Sequence, residues 1–488
     1  MQSWTVTPTG TVRVSWIDTH WTENGSTPVS FNWTPVSSYV AALVPQSDGS
    51  FQTLTGSAVN GIFNIPNVPA GYYWLRISPT NIYWTSSSNF DMGSDYAVSA
   101  IAPAPSNTTT TVNFSLTSLD TTAGAGWMQV AIPDGPPLLP IEGTTTPGSS
   151  TWTGGAIING NVGFSGIETA FAMQYEPATL GTVTGFVLGP EVSLADLSLT
   201  SGIANTISGS LNPSLPASMN LSIKASEWTP LFDRVAPNSI NATGGVFAAS
   251  VQPYPTSQIV ARSSTINLIW SPLSGLGPAF WPGNCSGSLS SFSNGSPILP
   301  PALTTDFDSG AVQYSDPFPP TWLRSFSIVQ CAAVSVALPG GNSTQTFILT
   351  NSQSSAVPTA PLEPLISPVQ NPKINGAGLF TANTIGGTPL TLSWSAPAIG
   401  APYGYQVQIL TPTSLPSGSS AYSPVATLST AKSTVTLPAN LFSPNGTCLF
   451  VITALIDGQA NMETSPHRSA LPVASANVIS APITLNAQ

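Results

Sequence analysis

Charge is what this sequence lacks most. Its 488 residues include 9 Lys and Arg, 20 Asp and Glu and 2 His, so that 6% are charged and the net charge is −11. An average soluble domain carries roughly 25%. So few basic residues exclude a nucleic-acid partner, because phosphate backbones are held by Lys and Arg patches. Scarce Lys and Glu argue against coiled coils and most helical architectures. Long apolar runs are missing too. Although 41% of the residues are hydrophobic, no uninterrupted stretch of about 18 could cross a bilayer as a helix. Three cysteines are too few for a disulfide-built scaffold.

Aromatics, by contrast, are plentiful, with 13 Trp, 19 Phe and 11 Tyr. That is enough surface to bury that disorder throughout is excluded. Ser and Thr fill about a quarter of the positions and take over from charge as the groups that meet water. Forty-eight Pro and 41 Gly leave few windows long enough for a helix and punctuate many short runs rich in Val, Ile, Thr, Phe and Trp. Within those runs apolar residues alternate. In Thr11–Ile17, Val12, Val14 and Trp16 share one face while Arg13 and Ser15 share the other. Thr388–Trp394, Tyr405–Ile409 and Ser433–Leu437 repeat the pattern. Period-two alternation between Pro/Gly turns predicts an all-β chain of several tandem antiparallel β-sandwiches.

Four regions are expected: 1–118, 119–205, 206–365 and 366–488. In the first, the run from Gly61 to Ile77 (GIFNIPNVPAGYYWLRI) places Phe63 and Ile65 inward, turns at Asn67–Gly71, and places Tyr73, Leu75 and Ile77 inward again. It predicts a hairpin. With Asp48–Phe51 before it and the strand Thr111–Leu116 after it, residues 35–116 resemble the transthyretin-like, carboxypeptidase-regulatory-type sandwich. The resemblance implies a structural or adhesive spacer with no catalytic motif. Pro133–Pro140 and Gly143–Gly155 read as linker or long loop inside 119–205. Strand-like runs follow at Ala156–Ile158, Gly181–Leu188, Met219–Ala225, Val246–Val251, Thr265–Trp270, Ser325–Val336 and Thr344–Leu349. Those in 206–365 predict a sandwich of no nameable family. Val357–Pro372 reads as a semi-rigid, Pro-rich linker. In the last region Leu390–Pro397, Gly404–Ile409, Ser433–Leu437 and Pro444–Ala454 resemble a fibronectin type III domain in order and spacing. Trp394 would be its core tryptophan, with Tyr405 and Val407 on the facing sheet. Where that family places a corner tyrosine, this chain has Cys448.

Catalysis needs convergent reactive groups, and the usual sets are missing. His20 and His467 lie in the first and last regions, so neither serves a Ser-His-Asp triad without contact between those regions. There is no G-x-S-x-G, C-x-x-C or H-E-x-x-H run and no Gly-rich phosphate loop. The expectation is therefore a protein that is not an enzyme. Carboxylates remain: Asp306 and Asp308 could hold calcium or simply cap a polar turn. Glu168 and Glu176 sit among apolar neighbours, where burial would raise their pKa. No other cofactor is expected. Cys285 and Cys331 could form a disulfide or stay as two buried thiols, while Cys448 reads as a buried small hydrophobe. Trp21 and Trp33, flanked by His20, Thr22, Asn32 and Thr34, could form an aromatic platform for a polysaccharide or belong to the core.

The opening Met1-Gln2-Ser3-Trp4 has neither the basic start nor the apolar segment of a secretory leader. The composition nevertheless suits an extracellular or cell-surface chain, bacterial in style, whose leader has been removed. About ten Asn-x-Ser/Thr sequons are close to what chance supplies at this Asn, Ser and Thr content. The leading expectation is a secreted structural or adhesive protein that contacts other surface proteins or copies of itself through sandwich edges. Carbohydrate binding in residues 1–118 is the alternative. An acid-tolerant secreted hydrolase is the third, since a chain with few salt bridges has few to lose in acid.

Overall fold

The computed structural model describes residues 9–22, 25–96, 109–122, 126–131, 141–159, 169–180, 183–195, 197–213, 217–224, 226–227, 231, 240–252, 266–270, 306–318, 323–337, 343–354, 361, 363–386, 389–414, 420–438, 441–442 and 446–486. The chain is all-β, about 60% strand and 1% helix, arranged in several sheets. Among the described residues no helix is long and apolar enough to cross a membrane.

Two sheets build the N-terminal unit. One orders Asn89–Asp91, Thr9–Ser15, Ile62–Pro69 and Ser57–Val59. The other carries Phe51–Thr55, Ala41–Pro45, Tyr73–Arg76 and Asn81–Thr85. Between them lie Val12, Val14, Phe63, Ile65, Val40, Ala42, Tyr73, Leu75 and Phe90, all buried. The inward set of the 61–77 run is as the alternation predicts, but the hairpin is not. Ile62–Pro69 pairs with Thr9–Ser15 and Ser57–Val59, whereas Tyr73–Arg76 pairs with Ala41–Pro45 and Asn81–Thr85. Asn67, at φ 61°, sits at a bulge within the first strand, and the turn that follows Pro69, with Gly71 at φ 126°, lifts the chain from one sheet to the other. Phe63 and Ile65 thus meet Tyr73 and Leu75 across the core rather than along a ladder. Alternation dictates which face is buried and leaves the ladder partner open.

Ala41, Ala42, Leu43 and Val44 are all buried, without alternation. Their strand is covered on both faces. Ala42 and Val44 point into the N-terminal core, while Ala41 and Leu43, with Trp74 and Ile82, enter a second core built from residues 366–485. That C-terminal unit has one sheet of Ala377–Gly378, Gln370–Ile374, Leu390–Ser395 and Thr434–Leu437. Its other sheet holds Gly404–Ser414, Ser420–Thr430, Thr447–Asp457 and Val473–Ile479. Trp394 is buried and meets the Tyr405 ring edge-on at 5.1 Å, as the sequence predicts. The two terminal units are joined by more than contact. Thr427–Thr430 pairs in parallel with Asn81–Trp84, and Trp74 Nε1 donates to Thr436 O at 2.9 Å. Beads on linkers were the expected arrangement; instead the first and last units share a core.

Between them, Thr109–Thr117 forms the centre of a three-stranded sheet, flanked by Thr151–Asn159 and Ala204–Ser210. From sequence Thr111–Leu116 belongs with 1–118, yet both ladder partners of this strand come later in the chain. Its inner face packs Val112, Phe114, Leu116 and Trp152 against Met128, Val130, Ala170 and Ala172. The latter four come from strands Trp127–Ala131 and Ala170–Leu180, which pair with each other. Longer strands follow: Ile240–Gln252 pairs with Leu323–Ala337, and that strand with Ser343–Ser354. Thr350–Gln353 then pairs with Val473–Ala476 of the C-terminal unit. Hydrogen-bonded ladders therefore run from the middle region through the C-terminal unit into the N-terminal one.

Candidate functional site

The sequence-selected aromatic platform is only partly as expected. Trp33 is 4% exposed, and its Nε1 donates to Gly61 O at 2.9 Å. Its ring lies edge-on to Trp16 and Phe31 and 5.5 Å from Phe63. Enclosed in this way, Trp33 follows the core alternative rather than the platform one. Its polar sequence neighbours misled because the chain there is irregular and the ring turns inward. Trp21 and His20 lie on Ile17–Thr22, opposite Ser26 and Thr27. Of Trp21 only the backbone is described, and His20 is half-buried. What does face outward is a groove of about 620 Å³ whose lining includes Phe31, Asn32, Trp33, Thr34, Ser57 and Gly61. Phe31 stacks on Trp16 at 3.9 Å with planes 11° apart. The aromatic surface is thus offered by Phe31, a residue the Trp-centred reading passed over.

Asp306 and Asp308 are exposed, and Asp308 Oδ1 accepts from Gly310 N at 2.8 Å. With Gly310 at φ 64° this is a bulge in the strand Phe307–Tyr314, opposite the register shift between Asn220 and Ser222. Among the described residues no three His, Cys, Asp or Glu side chains converge as a metal set. Cys285 lies outside the described residues. Cys331 is described by backbone alone, opposite Gly244 and Leu349. Cys448 is buried with its Sγ 3.7 Å from Ile483 O, and burial pushes the thiol up to about 12. It is an apolar core residue, as the sequence predicts.

At the seam of the terminal units, among the described residues, sits a polar cluster centred on Arg468. Arg468 Nε donates to Asp91 Oδ2 at 2.9 Å, Nη1 to Asp95 Oδ1 at 3.2 Å and to Thr19 Oγ1 at 3.4 Å, and Nη2 to Ile17 O at 2.8 Å. Gly93 leaves room for this guanidinium, since a Cβ there would fall 2.4 Å from Nη2. One residue earlier, His467 Nε2 lies 2.8 Å from the Tyr83 hydroxyl, whose burial raises its pKa. Tyr72 Oη donates to Glu463 Oε1 at 2.9 Å, and Thr85 Oγ1 to Glu463 O at 2.7 Å. The contact between first and last regions that any use of His467 requires does exist. What it assembles is a structural clamp of Arg, Asp and Tyr.

Acid–base character is clearest elsewhere. Gln174, itself buried, takes a hydrogen bond from Asp120 N at 2.8 Å and returns one to Asp120 O at 3.2 Å. This double bond to the main chain sets Asp120 beside Glu176 on the same strand. Burial, followed by the negative charge of Asp120, raises the Glu176 carboxyl to about 7. Gly189 crosses so closely that a Cβ would sit 2.6 Å from that carboxyl carbon. Thr122 donates through both N and Oγ1 to Asp120 Oδ1 at 2.7 Å. Beside the pair opens a groove of about 660 Å³ edged by Ser118, Thr121, Pro190 and Pro213. Burial beside the Asp120 charge makes Glu176 hold its proton more tightly than a free glutamate does. Apolar neighbours flagged Glu176 in the sequence; Asp120, distant along the chain, carried no signal. Glu168 lies outside the described residues.

No family model and no curated protein matches the chain. A streptococcal ancillary pilin aligns with 70% of this chain and 95% of its own at 9% identity, with a TM-score of 0.12. A Salmonella alpha-2-macroglobulin mutant aligns with 90% of this chain and 27% of its own at 10% identity, also at 0.12. Likeness at that level carries no argument about fold or role.

Proposed function

We propose that the chain is an extracellular structural or adhesive subunit that assembles with copies of itself. The observation that carries this reading is the continuity of the ladders. Thr350–Gln353 joins Val473–Ala476, and Thr427–Thr430 joins Asn81–Trp84, so force or shape passes between regions through paired strands. The charge-poor, hydroxyl-rich surface suits contact with neutral surfaces outside the cell better than recognition of ions. The transthyretin-like and fibronectin type III-like readings of the first and last units belong to the same proposal, and both kinds of module serve as spacers. Electron microscopy of the purified full chain tests it. Ordered assemblies are expected at micromolar concentration; dispersed monomers at every pH and concentration would contradict it.

The groove beside Phe31 favours one second reading, the binding of a neutral polysaccharide. Its aromatic face and surrounding hydroxyls and amide are the groups that hold sugars. A glycan array would then show a signal that Phe31→Ala abolishes; a signal indifferent to that change would remove the groove from consideration.

A further inference from the structure

Among the described residues one sheet has long edges with nothing to blunt them. Strand edges carry unpaired N–H and C=O groups, and proteins blunt them with short strands, prolines, bulges or charges. Such devices recur along the described residues. Ser57–Val59, Asn89–Asp91, Asp95–Tyr96 and Ala377–Gly378 are outer strands of two or three residues. The outer strand Gly25–Ser30 contains Pro28, and the pairing of Ala217–Ile223 with Phe307–Tyr314 is broken between Asn220 and Ser222.

The sheet centred on Thr109–Thr117 has none of these. Its nine pairs with Thr151–Asn159 and seven with Ala204–Ser210 run without a register shift. All three strands lie in segments, 97–119, 143–167 and 197–223, that hold no Asp, Glu, Lys or Arg. Among the described residues no strand pairs with the outer side of either flanking strand. Only at Asn212, beyond the strand, does the chain bridge to Glu191. The outward face is paved with Asn113, Thr117, Thr153, Thr206 and Ser208, exposed. Ile157 and Ile203, 69% and 54% exposed, flank the two edges at the same level, beside Thr111.

The direction of the bare groups can be read. Thr111 N donates to Ile203 O, and Leu211 N to Thr117 O. In a parallel ladder alternate residues face the partner, so the odd-numbered residues of Ala204–Ser210 bond the central strand. Thr206 and Ser208 therefore turn their N–H and C=O groups to the open side. The central strand runs antiparallel to Thr151–Asn159 and parallel to Ala204–Ser210. The two outer strands are thus antiparallel to each other.

We propose that these edges join copies of the chain, Ala204–Ser210 of one pairing antiparallel with Thr151–Asn159 of the next. The inference rests on the self-assembling reading and names its contact. Copies related by translation bring those two edges together in the more stable ladder orientation. The neutral edges repel nothing, and each copy still presents one free edge of each kind. Such a head-to-tail contact does not close, so it grows a filament, wound by sheet twist. An edge meeting its own kind would stop at a dimer and leave the other edge bare.

The test uses full-length protein, electron microscopy and light scattering. Thr206→Pro removes an N–H facing the open side and keeps the central ladder; Thr153→Lys places charge on the other edge. Asn113→Lys, on the central strand of the same face, is the control. The wild type should form filaments and Asn113→Lys should retain them. Each edge variant, with unchanged circular dichroism, should cut the assembled fraction about tenfold or more, the effect of roughly 1.4 kcal/mol per contact. Should Thr206→Pro fail to fold, the surface change Thr153→Lys still decides. Filaments unaffected by the edge variants would overturn edge pairing and leave the structural reading standing. Equal loss in Asn113→Lys would overturn it in favour of face stacking. A wild type that stays monomeric would overturn both.

Discussion

Arg468 shows how much a single charge does in a chain that has few. Its side chain is 19% exposed, and its partner Asp95 is 12% exposed. Four acceptors from three strands, Ile17–Thr22, Asn89–Asp91 and Asp95–Tyr96, converge on one planar fork, which an ammonium cannot span. Arg468→Lys should therefore lower the stability of the full chain by about 1 kcal/mol, because it leaves partly buried acceptors without their partner. Chemical denaturation checks this, and an unchanged midpoint would contradict it. Glu176 works in the opposite sense. Its folded pKa lies above that of the unfolded chain, so the folded state holds the extra proton between about pH 4.5 and 7. Stability then falls as pH rises through that window. Glu176→Gln should flatten the slope and gain about 1 kcal/mol at pH 8, a figure reduced for the partly solvated site. Melting curves from pH 4 to 8 would show it; identical slopes for both proteins would contradict it. Residues whose environment is local were legible in the sequence, among them Cys448, Trp394 and Glu176. Asp91, Asp95 and Asp120 were not, because their partners come from distant strands that no spacing rule connects.

At the scale of strands, alternation did its work wherever one face meets water. Val12 and Val14, Phe63 and Ile65, Tyr405 and Val407 are inward as read. Pairing was another matter. A Gly-containing turn between two amphipathic runs suits a hairpin and a crossing between sheets equally, and the 61–77 run takes the crossing. Strands buried on both sides, such as Ala41–Pro45, lose alternation altogether and gave little signal. Of the three-stranded sheet of the middle region, Thr111–Leu116 and Ala156–Ile158 read as strands from sequence, whereas Thr151–Gly155 reads as loop because its glycines mask the ladder it forms. What distinguishes it, uninterrupted register with unguarded edges, depends on which strands lie side by side.

For the whole molecule, poverty of charge leaves apolar faces and backbone ladders as the main contacts that join its parts, with the Arg468 cluster beside them. The N-terminal unit places Trp74, fully buried, in the core of the C-terminal one. Trp84 lies 4.9 Å from Trp74, between it and Tyr72. Nothing in a linear reading marks a tryptophan near residue 74 as belonging to a core built from residues 366–485. A molecule closed in this way offers rigid surfaces for repeated contact, which beads on linkers would not. The most direct test is hydrogen exchange at one amide. Thr427 N donates to Thr80 O, the bond that opens the parallel ladder between the two units. Closure predicts that Thr427 in the full chain is protected as strongly as the strand's amides bonded to Gly404–Ser414, and is lost together with them. Exchange at Thr427 at the rate of a solvated amide, while the rest of that strand stays protected, would contradict it.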